Sequence, residues 1–157
     1  MLKSKLNQLR EKDGFTIIEV IIVLVIAAII MLAVFLVVPQ LQRTQRNSRR
    51  QSDARRALTA AEQIAANNGG SYSTVDGTTI QAITGTLTDP NNTNYSIAVN
   101  TTGLITDYKG AQLMSVTTGK GCTTQGSGTP TSTGNIAITV NQETATSGTF
   151  TGYCVSN

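Results

Sequence analysis

The chain contains no histidine and no tryptophan, only two cysteines and three prolines, and aromatic residues make up just 4% of it. Each shortage excludes something. Without histidine, the commonest general base and the commonest neutral metal ligand are both missing. A structural zinc site needs four Cys or His ligands, and Cys122 and Cys154 supply only two. No metal and no cofactor are therefore expected. No paired carboxylates and no Gly-rich phosphate loop stand out either, so the chain reads as a non-enzyme. Charged residues are scarce at 13%, about half of the roughly 25% usual in a soluble domain.

What is present is distributed unevenly along 157 residues, one domain's worth of chain. Between residues 15 and 38, 18 of 24 positions are Ile, Leu, Val or Phe. Between residues 71 and 157, Thr, Ser, Gly and Asn fill 48 of 87 positions. The net charge of +3 is also segregated. Residues 40–66 carry six Arg against Asp53 and Glu62. Residues 71–157 carry Lys109 and Lys120 against Asp76, Asp89, Asp107 and Glu143. The C-terminal part is therefore not a basic nucleic-acid module.

From Phe15 to Val38 only Thr16 and Glu19 are polar. At a rise of about 1.5 Å per residue, such a helix reaches about 36 Å, enough to cross a hydrocarbon core of about 30 Å. The alternative, a buried core helix in a soluble protein, does not suit so long an apolar run. Ahead of it, Lys3, Lys5, Arg10 and Lys12 outnumber Glu11 and Asp13, which favours a cytoplasmic N-terminus. No small-residue cleavage site follows the run, as it would in a secretory signal peptide. The break in the sequence comes before it, at Gly14–Phe15.

Glu19 needs an explanation, because a carboxylate five residues into a membrane helix is costly and marks a functional position by default. Thr16 and Glu19 also fit the Thr-x-x-Glu capping box, in which the acid satisfies backbone donors at a helix start. A cap accounts for the Glu, but not for a hydrophobic run that begins at Phe15 directly after Gly14.

The stretch Lys12-Asp13-Gly14-Phe15-Thr16-Ile17-Ile18-Glu19-Val20, followed by a long aliphatic run, resembles the class III signal of type IV pilins. The resemblance covers residues 12–38 closely and the remainder in outline. It implies an α+β pilin fold, with a long N-terminal helix, half membrane-spanning and half amphipathic, packed on a small antiparallel β-sheet head. It implies that a prepilin peptidase cuts between Gly14 and Phe15 and that Phe15 becomes the N-methylated N-terminus. It implies that Glu19 sets assembly register by pairing with the Phe15 ammonium of a neighbouring subunit. The physics agrees, since an acid left alone in lipid is costly and an opposite charge offsets it only in the right register. The corresponding segments are a cleaved leader at 1–14, a hydrophobic polymerisation helix at 15–39, an amphipathic half at 40–68 and a Thr/Ser/Gly-rich head at 69–157.

Pro39 lacks an N–H and is expected to bend or break the helix. Beyond it, Ala54, Ala57, Leu58, Ala61, Ile64 and Ala65 recur at steps of three and four, one face of an amphipathic helix. Asn67-Asn68-Gly69-Gly70 reads as its stop. A helix over 15–67 measures about 80 Å, so its second half lies beyond the lipid and packs on something. Small Ala side chains on its face suit close approach of a sheet. Strands are expected at Tyr95–Asn100, Leu104–Tyr108, Gln112–Thr117, Asn135–Val140 and Thr149–Val155. Turns are expected at 100–103 and 107–110. Residues 71–92 read as a connecting loop with one short turn around Thr79–Ile83.

The head holds few apolar residues, so its core is marginal without further support. A Cys122–Cys154 bridge would add about 3–4 kcal/mol for a loop of this size, and an exported head permits oxidation. Two free thiols are the alternative reading. The stretch Thr123–Gly134 between them is nearly devoid of apolar residues and is expected to be a loop tied down by the bridge, as in the C-terminal disulfide loop of type IV pilins. The competing reading of the Thr-rich composition is a disordered linker, against which the interspersed Ile, Val and Leu argue. Asn91 and Asn100 match the N-glycan acceptor pattern, which is frequent by chance.

Arg43, Arg46, Arg49 and Arg50 read as spread around the helix. They suit a solvated or headgroup-level segment, or salt bridges to acidic heads of other subunits, in preference to contact with DNA. The functional expectation is a structural pilin that waits in the cytoplasmic membrane with its head outside and then enters an extracellular filament for adhesion, motility or DNA uptake. The resemblance implies other pilin subunits, a prepilin peptidase, an assembly ATPase and a platform protein as partners. DNA is a further candidate that the sequence does not indicate. The alternatives are a pseudopilin of a competence or type II secretion system and, from another class, a signal-anchored extracellular binding module.

Overall fold

A computed structural model describes residues 14–99, 113–144 and 150–157. The chain divides between Gln40 and Leu41 into two units. The helix α1, Ile17–Asn67, contributes to both, and Pro39 stands inside it without ending it. Pro removes one hydrogen bond from a helix, and the helix runs on through it here.

In the first unit the aliphatic run is exposed, with nothing among the described residues packed on it. Ile17 is 81% exposed, and the large apolar side chains through Val38 are likewise exposed. The helix is long and apolar enough to cross a membrane, and none of its most apolar window is buried.

In the second unit α1 becomes amphipathic. Ala54, Ala57, Leu58, Ala61, Ile64 and Ala65 are all buried, the face read from their spacing. All but Ala65 join a core with Met114, Val116, Ile136, Ile138 and Val140 from the sheet and Val75, Ile80, Leu87 and Tyr95 from the segment between helix and sheet. Alanines bring the helix axis close to the sheet, and the larger Ile and Met side chains fill the space between, as close packing requires.

The segment after α1 is not the loop expected from its composition. It contains a second helix, α2, Gly77–Thr84. Asp76 caps it reciprocally: Thr79 N–H donates to Asp76 Oδ1 at 2.7 Å, and Asp76 N–H donates to Thr79 Oγ1 at 2.9 Å. Threonines are poor helix formers, so the cap and burial of Ile80 outweigh local propensity. A Cβ on Gly77 would lie 3.0 Å from both the Cβ and the carbonyl oxygen of Ile97, so glycine is what lets α2 start against the sheet.

Six strands follow: β1 (Ser96–Val99), β2 (Leu113–Thr118), β3 (Gly121–Thr124), β4 (Ser127–Ser132), β5 (Ile136–Glu143) and β6 (Phe150–Ser156). The main sheet has the order β1-β2-β5-β6, and β3-β4 forms a separate hairpin. The sheet is mixed, not wholly antiparallel as expected. β1 and β2 run parallel, with Ser96 opposite Leu113 and Val99 opposite Val116. A parallel pair needs a crossover of a dozen or more residues, and residues 100–112 supply that length. The expected strand Leu104–Tyr108 and the turns at 100–103 and 107–110 lie outside the described residues.

The second correction concerns Thr123–Gly134, which is not an irregular loop. β3 and β4 pair around Gln125-Gly126, with Gly126 at a φ of 86°. Thr suits strands whether or not it is buried, so a hairpin here needs no apolar run of its own. It is held against β6 instead. Cys122 and Cys154 form a disulfide across a sequence separation of 32, and Gly126 N–H donates to the Cys154 carbonyl at 2.8 Å.

Candidate functional site

Gly14 precedes α1 and is exposed, and a Cβ placed on it would meet nothing within 4 Å. The fold gives no reason for glycine there. Phe15, the next residue, is 87% exposed. Thr16 and Glu19 close the capping box that their spacing suggests. Thr16 N–H and Oγ1–H both donate to Glu19 Oε2, at 2.9 and 2.8 Å, and Glu19 N–H donates to Thr16 Oγ1 at 3.3 Å. Both bonds fall on one carboxylate oxygen, and Oε1 takes no part in them. Glu19 is therefore oriented by its own chain with one oxygen left for an external donor.

A second polar cluster lies within the second unit, and the arginines in it are arranged differently from the sequence reading. Arg43, Arg46, Asn47 and Arg50 fall at steps of three and four and address one rim of the head. Arg43 donates to the Thr144 carbonyl at 3.0 Å. Arg46 binds Glu143 through Nε at 3.0 Å and Nη2 at 2.6 Å. The Asn47 amide pairs with the Glu143 backbone, donating to its carbonyl at 2.8 Å and accepting from its N–H at 2.9 Å. The end of β5 is thus docked on α1 by side chains that mimic a strand partner.

Arg50 is the centre of this cluster. Its side chain has no exposed surface, and neither has that of Asp89. Nε donates to Asp89 Oδ1 at 2.7 Å and Nη2 to Oδ2 at 3.3 Å, while Nη1 reaches Glu143 Oε1 at 2.9 Å. Asp89 also opens the turn after it, accepting from Asn91 N–H at 3.0 Å. One guanidinium therefore ties α1 to the segment before β1 and to the end of β5.

The electrostatics follow from this packing. Burial alone would lower the pKa of Arg50, but hydrogen bonds and charge from Asp89 and Glu143 outweigh it and hold the value above the ordinary arginine range. Glu143 is held below the ordinary carboxylate range, first by its hydrogen bonds to Arg46 and then by Arg50. Asp53 is pushed up by burial, which Arg56 and Arg49 only partly oppose. Burial beside Asp89 and Asp53 also raises the Tyr95 phenol.

The sequence alone suggests solvated or intersubunit roles for these arginines and does not single out Asp89, Glu143 or Asn47. The i, i+3, i+4, i+7 spacing of Arg43, Arg46, Asn47 and Arg50 was the available signal. Nothing in the sequence marks which carboxylates answer it, because Asp89 and Glu143 are 39 and 93 residues from Arg50.

A family model for the prokaryotic N-terminal methylation motif matches residues 9–35. The chain carries this motif, the class III signal peptide of type IV pilins, on the residues that hold Gly14, Phe15 and Glu19. No curated protein and no solved structure matches the chain. The motif supports a pilin-like or pseudopilin precursor processed by a prepilin peptidase, and the apolar helix fits a membrane-anchored precursor. The long helix and four-stranded mixed sheet form an α+β arrangement consistent with the pilin fold.

Proposed function

We propose that the chain is a structural subunit that polymerises into a type IV pilus. In this reading residues 1–14 are a leader, removed between Gly14 and Phe15, and Phe15 is then N-methylated. Residues 15–39 are the polymerisation helix, 40–68 carry the head, and 69–157 form it. The observation that carries the reading is the methylation motif, matched over residues 9–35, running into an apolar helical segment whose large side chains are exposed in the single chain. In the precursor the helix is covered by lipid, and in the filament by the same helix of other copies.

Two local features support the site assignment. Among the described residues a Cβ at position 14 would meet nothing within 4 Å, which supports recognition by a peptidase as the reason for glycine there. Oε1 of Glu19 takes no part in its own cap, and the new ammonium of a neighbour's Phe15 bound there would offset its cost in lipid. Cleavage creates that ammonium, so processing licenses assembly. An assembly ATPase and a platform protein complete the partners of this reading, and Pro39 is its candidate point for helix bending. No enzymatic role is proposed.

The test is substitution at Gly14 and Glu19, with filaments sheared from cells and the membrane fraction retained. Gly14→Leu leaves an uncut precursor in the membrane. Glu19→Leu leaves protein in the membrane and abolishes filaments. Filaments of wild-type yield from Glu19→Leu would contradict the register role, and filaments from neither the wild type nor any variant would favour a signal-anchored binding module.

A further inference from the structure

Within the second unit most charges are matched inside one chain. Arg46 and Arg50 pair with Glu143 and Asp89, Arg56 reaches Asp53, Arg43 and Arg55 bond the Thr144 carbonyl and the Tyr153 hydroxyl, and the Asp76 carboxylate caps α2. Among the described side chains, Arg49 is the one arginine with neither a hydrogen bond nor an ion pair, its charge acting only at a distance on Asp53, and Glu62 is the one Asp or Glu with neither. Both stand on α1.

They cannot meet within one chain. Thirteen residues separate them, about 20 Å along the helix and about 140° around it. Arg49 lines a shallow groove of about 360 Å³ with Gln42, Gln45, Arg46 and Pro90, which offers a cation and amide donors and no carboxylate. Glu62, about 140° away around the same helix, faces a different side.

We propose that Arg49 and Glu62 are the two halves of a contact between copies of this chain, with Glu62 of one copy entering the Arg49 groove of the next. The proposal rests on the polymer reading and deepens it. The occupant is a second copy because the complementary charge is on the same chain, and because α1 is continuous with the apolar run assigned to packing between copies. Two unlike patches on different sides of one element make a heterologous contact, which propagates as an open helical polymer and does not close as a dimer. Parallel copies satisfy it when shifted by about 20 Å along this part of α1.

The experiment is a charge swap, read as filament yield in the sheared fraction, with processed protein in the membrane fraction and its Cys122–Cys154 bridge as controls for folding. Arg49→Glu and Glu62→Arg each place like charges opposite one another and are expected to lower the yield about tenfold or more. The Arg49→Glu/Glu62→Arg double variant carries both substitutions and is expected to return to within about twofold of wild type. Wild-type yields from the single variants, or a double variant no better than either single one, would overturn the pairing while leaving the polymer reading intact. Absence of filaments from the wild type itself would overturn both.

Discussion

Arg50 is a cation without exposed surface, tolerated because two carboxylates and an amide surround it. A buried pair of this kind adds little over a well-packed apolar substitute, but removing one partner strands the other charge. Arg50→Ala is therefore expected to destabilise the head by about 3–5 kcal/mol in urea unfolding. Asp89→Asn is expected to cost less than Asp89→Ala, since an amide still accepts from the guanidinium. Glu143 makes part of this stability depend on pH. Its folded pKa lies below the unfolded value of 4.5, so its contribution is complete above that value and is lost as pH falls through the lower folded one. Asp53 runs the other way: its folded value lies above the unfolded 3.8, so the cost of burying its charge appears as pH rises through the raised value. Urea midpoints measured across the acid range should fall steeply toward low pH in the wild type and more gently in Glu143→Gln. An unchanged slope in that variant would remove Glu143 from the account.

At the scale of elements, legibility in the sequence tracked periodicity. The alanine face of α1 and the strands ending in β2, β5 and β6 were readable because apolar residues recur at 3.6 or at 2. The helix α2 and the β3–β4 hairpin were not, because Gly, Thr, Gln and Ser carry no such signal and the deciding contacts are a cap, a disulfide and a close approach to Ile97. Parallel pairing of β1 with β2 was hidden for a similar reason, since turn-like residues after Val99 suggest a hairpin while the register depends on strands elsewhere. The cap can be tested directly. Asp76→Ala removes the acceptor for Thr79 N–H and should cost about 1 kcal/mol, with loss of helicity confined to α2 by hydrogen exchange. The bridge can be tested in the same way. Reduction of Cys122–Cys154 should lower stability by about 3–4 kcal/mol and release β3–β4 before the main sheet. Simultaneous loss of both would show that the hairpin is integral to the core.

At the scale of the whole molecule, one helix carries two kinds of surface. Its first part is apolar on every side, and its second part is apolar on one face and otherwise polar. The motif at Gly14–Glu19 was the most legible functional feature in the sequence, because its spacing is local and needs no tertiary contact to be recognised. The polar cluster around Arg50 was the least legible, because its partners come from three separate segments. The central claim is that a peptidase converts this chain from a membrane precursor into a filament subunit, and the mass of the mature N-terminus tests it most directly. Protein sheared from cells should begin at N-methylated Phe15 and be lighter by about two hydrogens for the Cys122–Cys154 bridge. A chain found solely in the membrane fraction and still carrying Met1–Gly14 would contradict the claim.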